Sequence, residues 1–128
     1  MAKKVLVLNM GMKSIRSIIF DACGNKLASA AYPLTTALND DEVTQEPSEW
    51  WNKACHVIKE TLSIVTADKI DYMTITSSAA CLLAVDEKFH PLTTCIMVSD
   101  RRANSYPRND RILKGRKQKT KTESGERR

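Results

Sequence analysis

The sequence predicts an α/β domain with a mixed β-sheet, in the order β-β-β-α-β followed by a hairpin. Three observations lead there. Aliphatic and β-branched runs separated by glycine turns fill the first 32 residues, an apolar stripe at helical spacing spans 47–66, and another strand-like run follows at 70–76. A meander whose crossover helix returns a strand beside the first gives a mixed sheet with helix cover.

Lys4–Asn9 is apolar on both faces, as a central strand covered on two sides must be. Asn9 to Ser14 supplies a turn in which Gly11 is free to take a positive φ. Ile15–Asp21 reads as the second strand, and Cys23 to Lys26 as a hairpin turn into a third strand at Lys26–Tyr32. The polar stretch Thr35–Gln45 reads as a loop. Pro47 suits the first helical position and Glu49 complements the helix dipole. Trp51, Ala54, Cys55, Ile58, Leu62 and Val65 then form one stripe, which predicts Trp51 in the core and Trp50 partly exposed. Ile70–Thr76 is the returning strand, and Cys81–Val85 with Thr94–Val98 is a hairpin across the turn-prone 86–91 segment.

The chain has 128 residues, room for one core, and its aromatic content of 5% leaves that core to aliphatic side chains. A formal charge of +5 suggests a polyanion binder, but the charge is uneven. Residues 1–104 hold eleven Lys+Arg against twelve Asp+Glu, net −1, whereas 105–128 hold nine against three, net +6. The expected division is therefore a domain over 1–104 and a basic, disordered tail over 105–128. No apolar run reaches the roughly 18 residues of a membrane span, so membrane insertion is not expected. Cys23, Cys55, Cys81 and Cys95 lack paired metal-ligand spacing and read as reduced core thiols of a cytoplasmic protein rather than a disulfide or zinc framework. His56 and His90 have no nucleophile or ligand at telling spacing and read as structural or solvated.

Taken in order, these segments resemble the start of the FGGY carbohydrate kinases, members of the actin-like (ribonuclease-H-like) ATPase fold. The family's strand, Asp-x-Gly-Thr/Ser turn and basic second strand resemble VLVLN-M-GMKS-IRSIIFDACGNKLA, with Arg16 at the basic position. Its acidic-Pro-x-x-Trp-Trp helix start is similar to Glu46–Trp51, and its sugar-site segment to Ile75–Ala80. LLAVDEKFHPLTTCIMVSDRR resembles its Leu-Leu-x-x-Asp, hairpin and Trp-x-Asp-x-Arg segment. The likeness spans about residues 4–103 and implies a partial actin-like domain whose parent reaction moves the γ-phosphate of ATP, with Mg2+, to a sugar or sugar-acid hydroxyl.

By the same resemblance, Asn9, Gly11, Met12, Lys13 and Ser14 form an altered phosphate turn, the alternative being a plain hairpin turn. Asn9 stands where the family has its magnesium-organising Asp, and Met12 where a hydroxyl faces the phosphates. Ser77 and Ser78 mark the sugar cleft or simply cap a strand end; the Ser-Ser-Ala start is closer to gluconate-type members. Asp100 and Arg102 keep the family register as substrate-binding candidates, Asp100 being either a cleft-lining acid or a helix N-cap. The family's catalytic Asp lies beyond the matched region, so no catalytic residue is assigned and the chain is expected to be a truncated piece inactive alone. An open sheet edge or uncovered apolar surface implies marginal folding, self-association or recruitment of a partner. The competing reading is a non-catalytic module whose tail binds polyanions; nucleic acid is not the expected partner of the body.

Overall fold

A computed structural model describes residues 3–105; of the expected basic tail only Ser105 is among them, and the expectation of disorder over 106–128 lies outside the described residues. Strands β1 (Lys4–Met10), β2 (Ser14–Asp21) and β3 (Lys26–Pro33) form an antiparallel meander. Helix α1 (Pro47–Ile64) crosses over, and β6 (Tyr72–Ser77) returns parallel to β1, giving the sheet order β3-β2-β1-β6.

The alternation along the strands puts Leu6, Leu8, Ile15, Ile19, Ala28 and Ala30 on one face, where α1 covers them with Ala54 and Val57. Burying one Ile or Val completely stabilises the fold by about 1.5–3 kcal/mol, and Ile15, Ile19 and Val57 have no exposed surface. One polar pair interrupts this interface: Ser17 Oγ lies 2.8 Å from Thr61 Oγ1, both fully buried. Either hydroxyl can donate in this pair, and the Thr61 hydroxyl also lies within reach of the Val57 and Ile58 carbonyls as acceptors.

The hairpin after β2 turns as its sequence predicts. Gly24 takes a φ of 84°, and the Asp21 carboxylate accepts the Cys23 and Asn25 amides. These contacts, the Asn25 side chain first, hold the Asp21 carboxyl below the usual carboxylate range.

Four expectations need correction. The helix stripe is rotated: Trp51 is 73% exposed, whereas Trp50 is partly buried against the core. Ala54, Val57 and Thr61 set the buried face, and Trp50 shares it at one-turn spacing from Ala54. Thr35–Gln45 is not simply a loop. It contains a hairpin of β4 (Ala37–Asn39) and β5 (Glu42–Gln45), turned by Asp40 at a φ of 50°. The late hairpin is reduced to the isolated bridges Leu82–Ile96 and Val85–Pro91, and β7 (Cys95–Ile96) pairs with β5 to complete a second, three-stranded sheet. Finally, Gly11 is not in the left-handed region. It is needed for close approach, since a Cβ there would meet the Ser14 carbonyl at 3.1 Å.

Along the outer side of the first sheet, β6 has no neighbouring strand among the described residues, and its Tyr72, Met73 and Ile75 are exposed. No helix among those residues is long and apolar enough to cross a membrane.

Candidate functional site

In open sheets with parallel strands, ligand crevices form beyond the strands' C-terminal ends. Here β1 and β6 are the parallel pair, and their ends, Met10 and Ser77, open into a cleft of about 170 Å³. Gly11 and Ser78 continue its wall, and the Ser78 amide donates to the Met10 carbonyl at 3.1 Å. The facing wall comes from the second sheet and the helix start: Gln45, Trp50, Cys95 and Met97, with Leu34 and Cys81 between. The lining is mainly apolar, with a few polar groups from Ser77, Ser78 and Gln45.

Gln45 organises that wall and escaped sequence reasoning. It is 2% exposed; its amide nitrogen donates to the Met12 carbonyl at 2.7 Å and to Thr36 Oγ1 at 2.9 Å. Its carbonyl accepts the Trp50 indole N–H at 2.9 Å. One side chain thus ties the β1–β2 turn to the helix start. No local signal marks it, because its partners, the Met12 carbonyl, Thr36 and the Trp50 indole, come from separate segments of the chain.

The structure separates the five turn residues. Gly11 faces the cleft, while Ser14 lies with Arg16 in a groove on the outer face of β2 and β3. Asn9 donates its amide to Thr76 Oγ1 at 2.6 Å, the Gly11 amide is spent on the Ser14 carbonyl, and Ser14 Oγ accepts from Arg16 Nε. Met12 and Lys13 are exposed, their carbonyls accepting from Gln45 and Leu34. This donor set does not fit a magnesium-bound triphosphate: an amide replaces a carboxylate, a thioether replaces a hydroxyl, and the glycine amide is already paired. Among the described residues no group of three His, Cys, Asp or Glu side chains could hold a metal ion.

Ser77 and Ser78 reach the cleft; Asp100 and Arg102 are not among its lining residues. Asp100 instead braces the small sheet, accepting the Val43 amide at 2.8 Å and the Arg102 amide at 3.0 Å. The second bond satisfies a helix-start donor of the 3-10 turn Arg102–Ser105. Arg102 Nε lies 3.1 Å from both Asp100 oxygens, and its Nη1 reaches Glu42 at 3.3 Å. The Arg102 guanidinium, then the Val43 amide, hold the Asp100 carboxyl down at about 2. His90 is an exposed loop residue bonded to Asp86, and His56 packs edge-on against Tyr32.

The Ser78–Cys81 connection carries strain at the cleft mouth. Ala80 has a φ of 62°, a region that costs a residue with a Cβ roughly 1–2 kcal/mol.

Comparison with known proteins gives a consistent picture. Residues 4–127 match the model of the FGGY family of carbohydrate kinases, N-terminal domain, a span running past the point near residue 103 where the motif resemblance stops. Gluconokinase of Bacillus subtilis (strain 168) is 25% identical over 108 residues, 83% of this chain and 21% of that protein. Gluconate kinase from Lactobacillus acidophilus superposes with a TM-score of 0.75 at 17% identity, covering 93% of this chain and 23% of that one. Xylulose kinase from Rhodospirillum rubrum gives 0.71 at 19% identity, covering 91% and 23%. The chain thus spans between a fifth and a quarter of the length of these relatives.

Proposed function

The chain belongs to the FGGY family of carbohydrate kinases, and from that premise we propose that it forms the acceptor-side wall of a sugar-kinase cleft. The reaction served is transfer of the γ-phosphate of ATP to a hydroxyl of a sugar or sugar acid, in a cytoplasmic enzyme. One observation carries this reading: the ends of β1 and β6, far apart in sequence, bring Gly11, Ser77 and Ser78 into a single cleft. The Ser77 and Ser78 hydroxyls bind acceptor hydroxyls, each able to donate one hydrogen bond and accept two. Trp50 and Leu34 exclude water from that contact, and Gln45 fixes the indole. The similarity to a gluconokinase favours a sugar acid as acceptor.

The turn after β1 contributes shape rather than metal or phosphate chemistry, so no step runs through magnesium here. Phosphoryl transfer depends on positioning and charge neutralisation across a closed cleft, and this chain provides one wall of it. Turnover by the chain alone is accordingly absent in this reading.

The test has two arms. In a coupled assay with ATP and D-gluconate or D-xylulose, the chain should show no turnover at ordinary kinase rates; such turnover would overturn the inactivity. In an NMR titration with D-gluconate, the Ser77 and Ser78 amides and the Trp50 indole N–H should shift together and saturate. Saturable shifts confined to another surface, or none at all, would sink the acceptor site.

A further inference from the structure

Two of the four cysteines meet in the cleft. Cys81 follows the Ser77–Ser78 segment and is half-buried, whereas Cys95 opens β7 and is 1% exposed. Each directly precedes one partner of the Leu82–Ile96 bridge, whose two backbone hydrogen bonds measure 2.9 and 2.8 Å. The two-residue period of extended chain therefore puts both side chains on the same face of that ladder, as diagonal neighbours about 7–8 Å apart. A bond between them requires the Ser78–Cys81 segment to shift towards β7. Both line the cleft, where Ser78 Oγ lies 3.9 Å from Cys81 Sγ. Burial first, then the nearby Cys81, pushes the Cys95 thiol above its ordinary value. The four thiols are not all in the core as expected: only Cys95 is buried, Cys23 is exposed on the short polar hairpin between β2 and β3, and Cys55 lies half-buried on α1, neither of these two in the cleft lining.

We propose that Cys81 and Cys95 are a redox modification site, closing reversibly to a disulfide across the cleft. The oxidant class is a low-molecular-weight disulfide such as oxidised glutathione. The Cys81 thiolate, the one solvent reaches, attacks one glutathione sulfur; the sulfur–sulfur bond breaks and the departing glutathione thiolate takes up a proton. Cys95 then loses its proton to water and attacks Sγ of Cys81, releasing the second glutathione as a thiol. Two protein thiols are oxidised and one disulfide is reduced to two thiols, so electrons and protons balance. Because Cys95 must deprotonate from a buried position, its step quickens as pH rises. The closed form pins the Ser78–Cys81 segment to β7. Its effect on an acceptor sugar rests on the function proposed above, but formation of the bond does not.

The experiment is thiol titration of the full chain under denaturing conditions, before and after incubation with oxidised glutathione. Free thiols should fall from four to two, or to one where the exposed Cys23 takes up a glutathione of its own, with peptide mapping giving a Cys81–Cys95 link that dithiothreitol reverses. In Cys95→Ser the reaction should stop with glutathione held on Cys81; in Cys81→Ser the Cys95 thiol should stay reduced. Four free thiols after oxidation, a link mapped to Cys23 or Cys55, or a wild-type mixed disulfide that never resolves would each overturn the proposal. A gluconate titration that fails with reduced protein would refute the acceptor reading and leave the thiol result standing.

Discussion

In the four-stranded sheet the residues that hold the strands to their helix are apolar and periodic, with Leu6, Leu8, Ile15 and Ile19 facing Ala54 and Val57. In the three-stranded sheet they are polar and singular: Gln45 bridges the turn and Trp50, and Asp100 with Arg102 clamps Val43 and Glu42. The first arrangement spreads its free energy over many interchangeable contacts. The second concentrates it in a few directional ones, and of these the Gln45 contacts shape the cleft. Rigidity of the scaffold and geometry of the site therefore respond to different substitutions.

Breaking the apolar half should have the largest effect. Ile19→Ala, at a fully buried position, is expected to cost about 2–5 kcal/mol, read as a lower midpoint in urea unfolding. A loss under 1 kcal/mol would mean that the sheet–helix interface is not the main source of stability. Gln45→Ala comes next, at roughly 1–3 kcal/mol, because it strands the Met12 carbonyl and the Trp50 indole N–H. Trp50 fluorescence should report it as a red shift, and an unchanged spectrum would mean that the indole is held by its packing instead.

Ser17→Ala tests whether a polar pair inside the apolar half behaves like the polar half. Thr61 keeps its helix carbonyl acceptors, so the loss should be about 1 kcal/mol, and adding Thr61→Val should recover part of it in a double-mutant cycle. Ala80→Gly changes the sign. Relief of the left-handed alanine should stabilise the chain by about 1 kcal/mol, seen as a raised unfolding midpoint.

The smallest effect belongs to Asp100. Its folded-state carboxyl is held down at about 2 from an ordinary 3.8, so its contribution is fully present above 3.8 and is lost as pH falls towards 2. A carboxyl NMR titration should show that low midpoint, with the Val43 amide moving in step, and Asp100→Asn should abolish the dependence. A midpoint near 3.8 would show that the clamp does not form in solution.

The same contrast explains what could be read from the residues alone. β1 was legible as a continuous apolar run, β2 and β3 as strand-like runs joined by a glycine turn, and α1 by the 3.6-residue period that burial imposes on its side chains. The phase of α1 was not, because Trp50 and Trp51 both extend the stripe and the decisive Thr61 is buried through its bond to Ser17 rather than by hydrophobicity. β4 and β5 were missed for a related reason: three- and four-residue strands of mixed polarity carry no period, and only Asn39-Asp40-Asp41 offered turn chemistry. Of the cleft, Gly11, Ser77 and Ser78 were legible through resemblance. Gln45 and the Cys81–Cys95 pair depend on contacts between segments that no local pattern encodes.

The parallel pairing of β1 with β6 also sets an order of events. Partners such as Asn9 and Thr76 are 67 residues apart, whereas the β1–β2 turn closes between neighbours such as Met10 and Ile15. Loop-closure entropy makes the distant contact about 2 kcal/mol harder to form from an open chain. The meander and its helix can assemble first, leaving a vacant lane along β1. The serines that β6 delivers to the cleft arrive only when that lane is filled, so this wall of the cleft should be the last part to mature during folding and the first to come apart under mild denaturant.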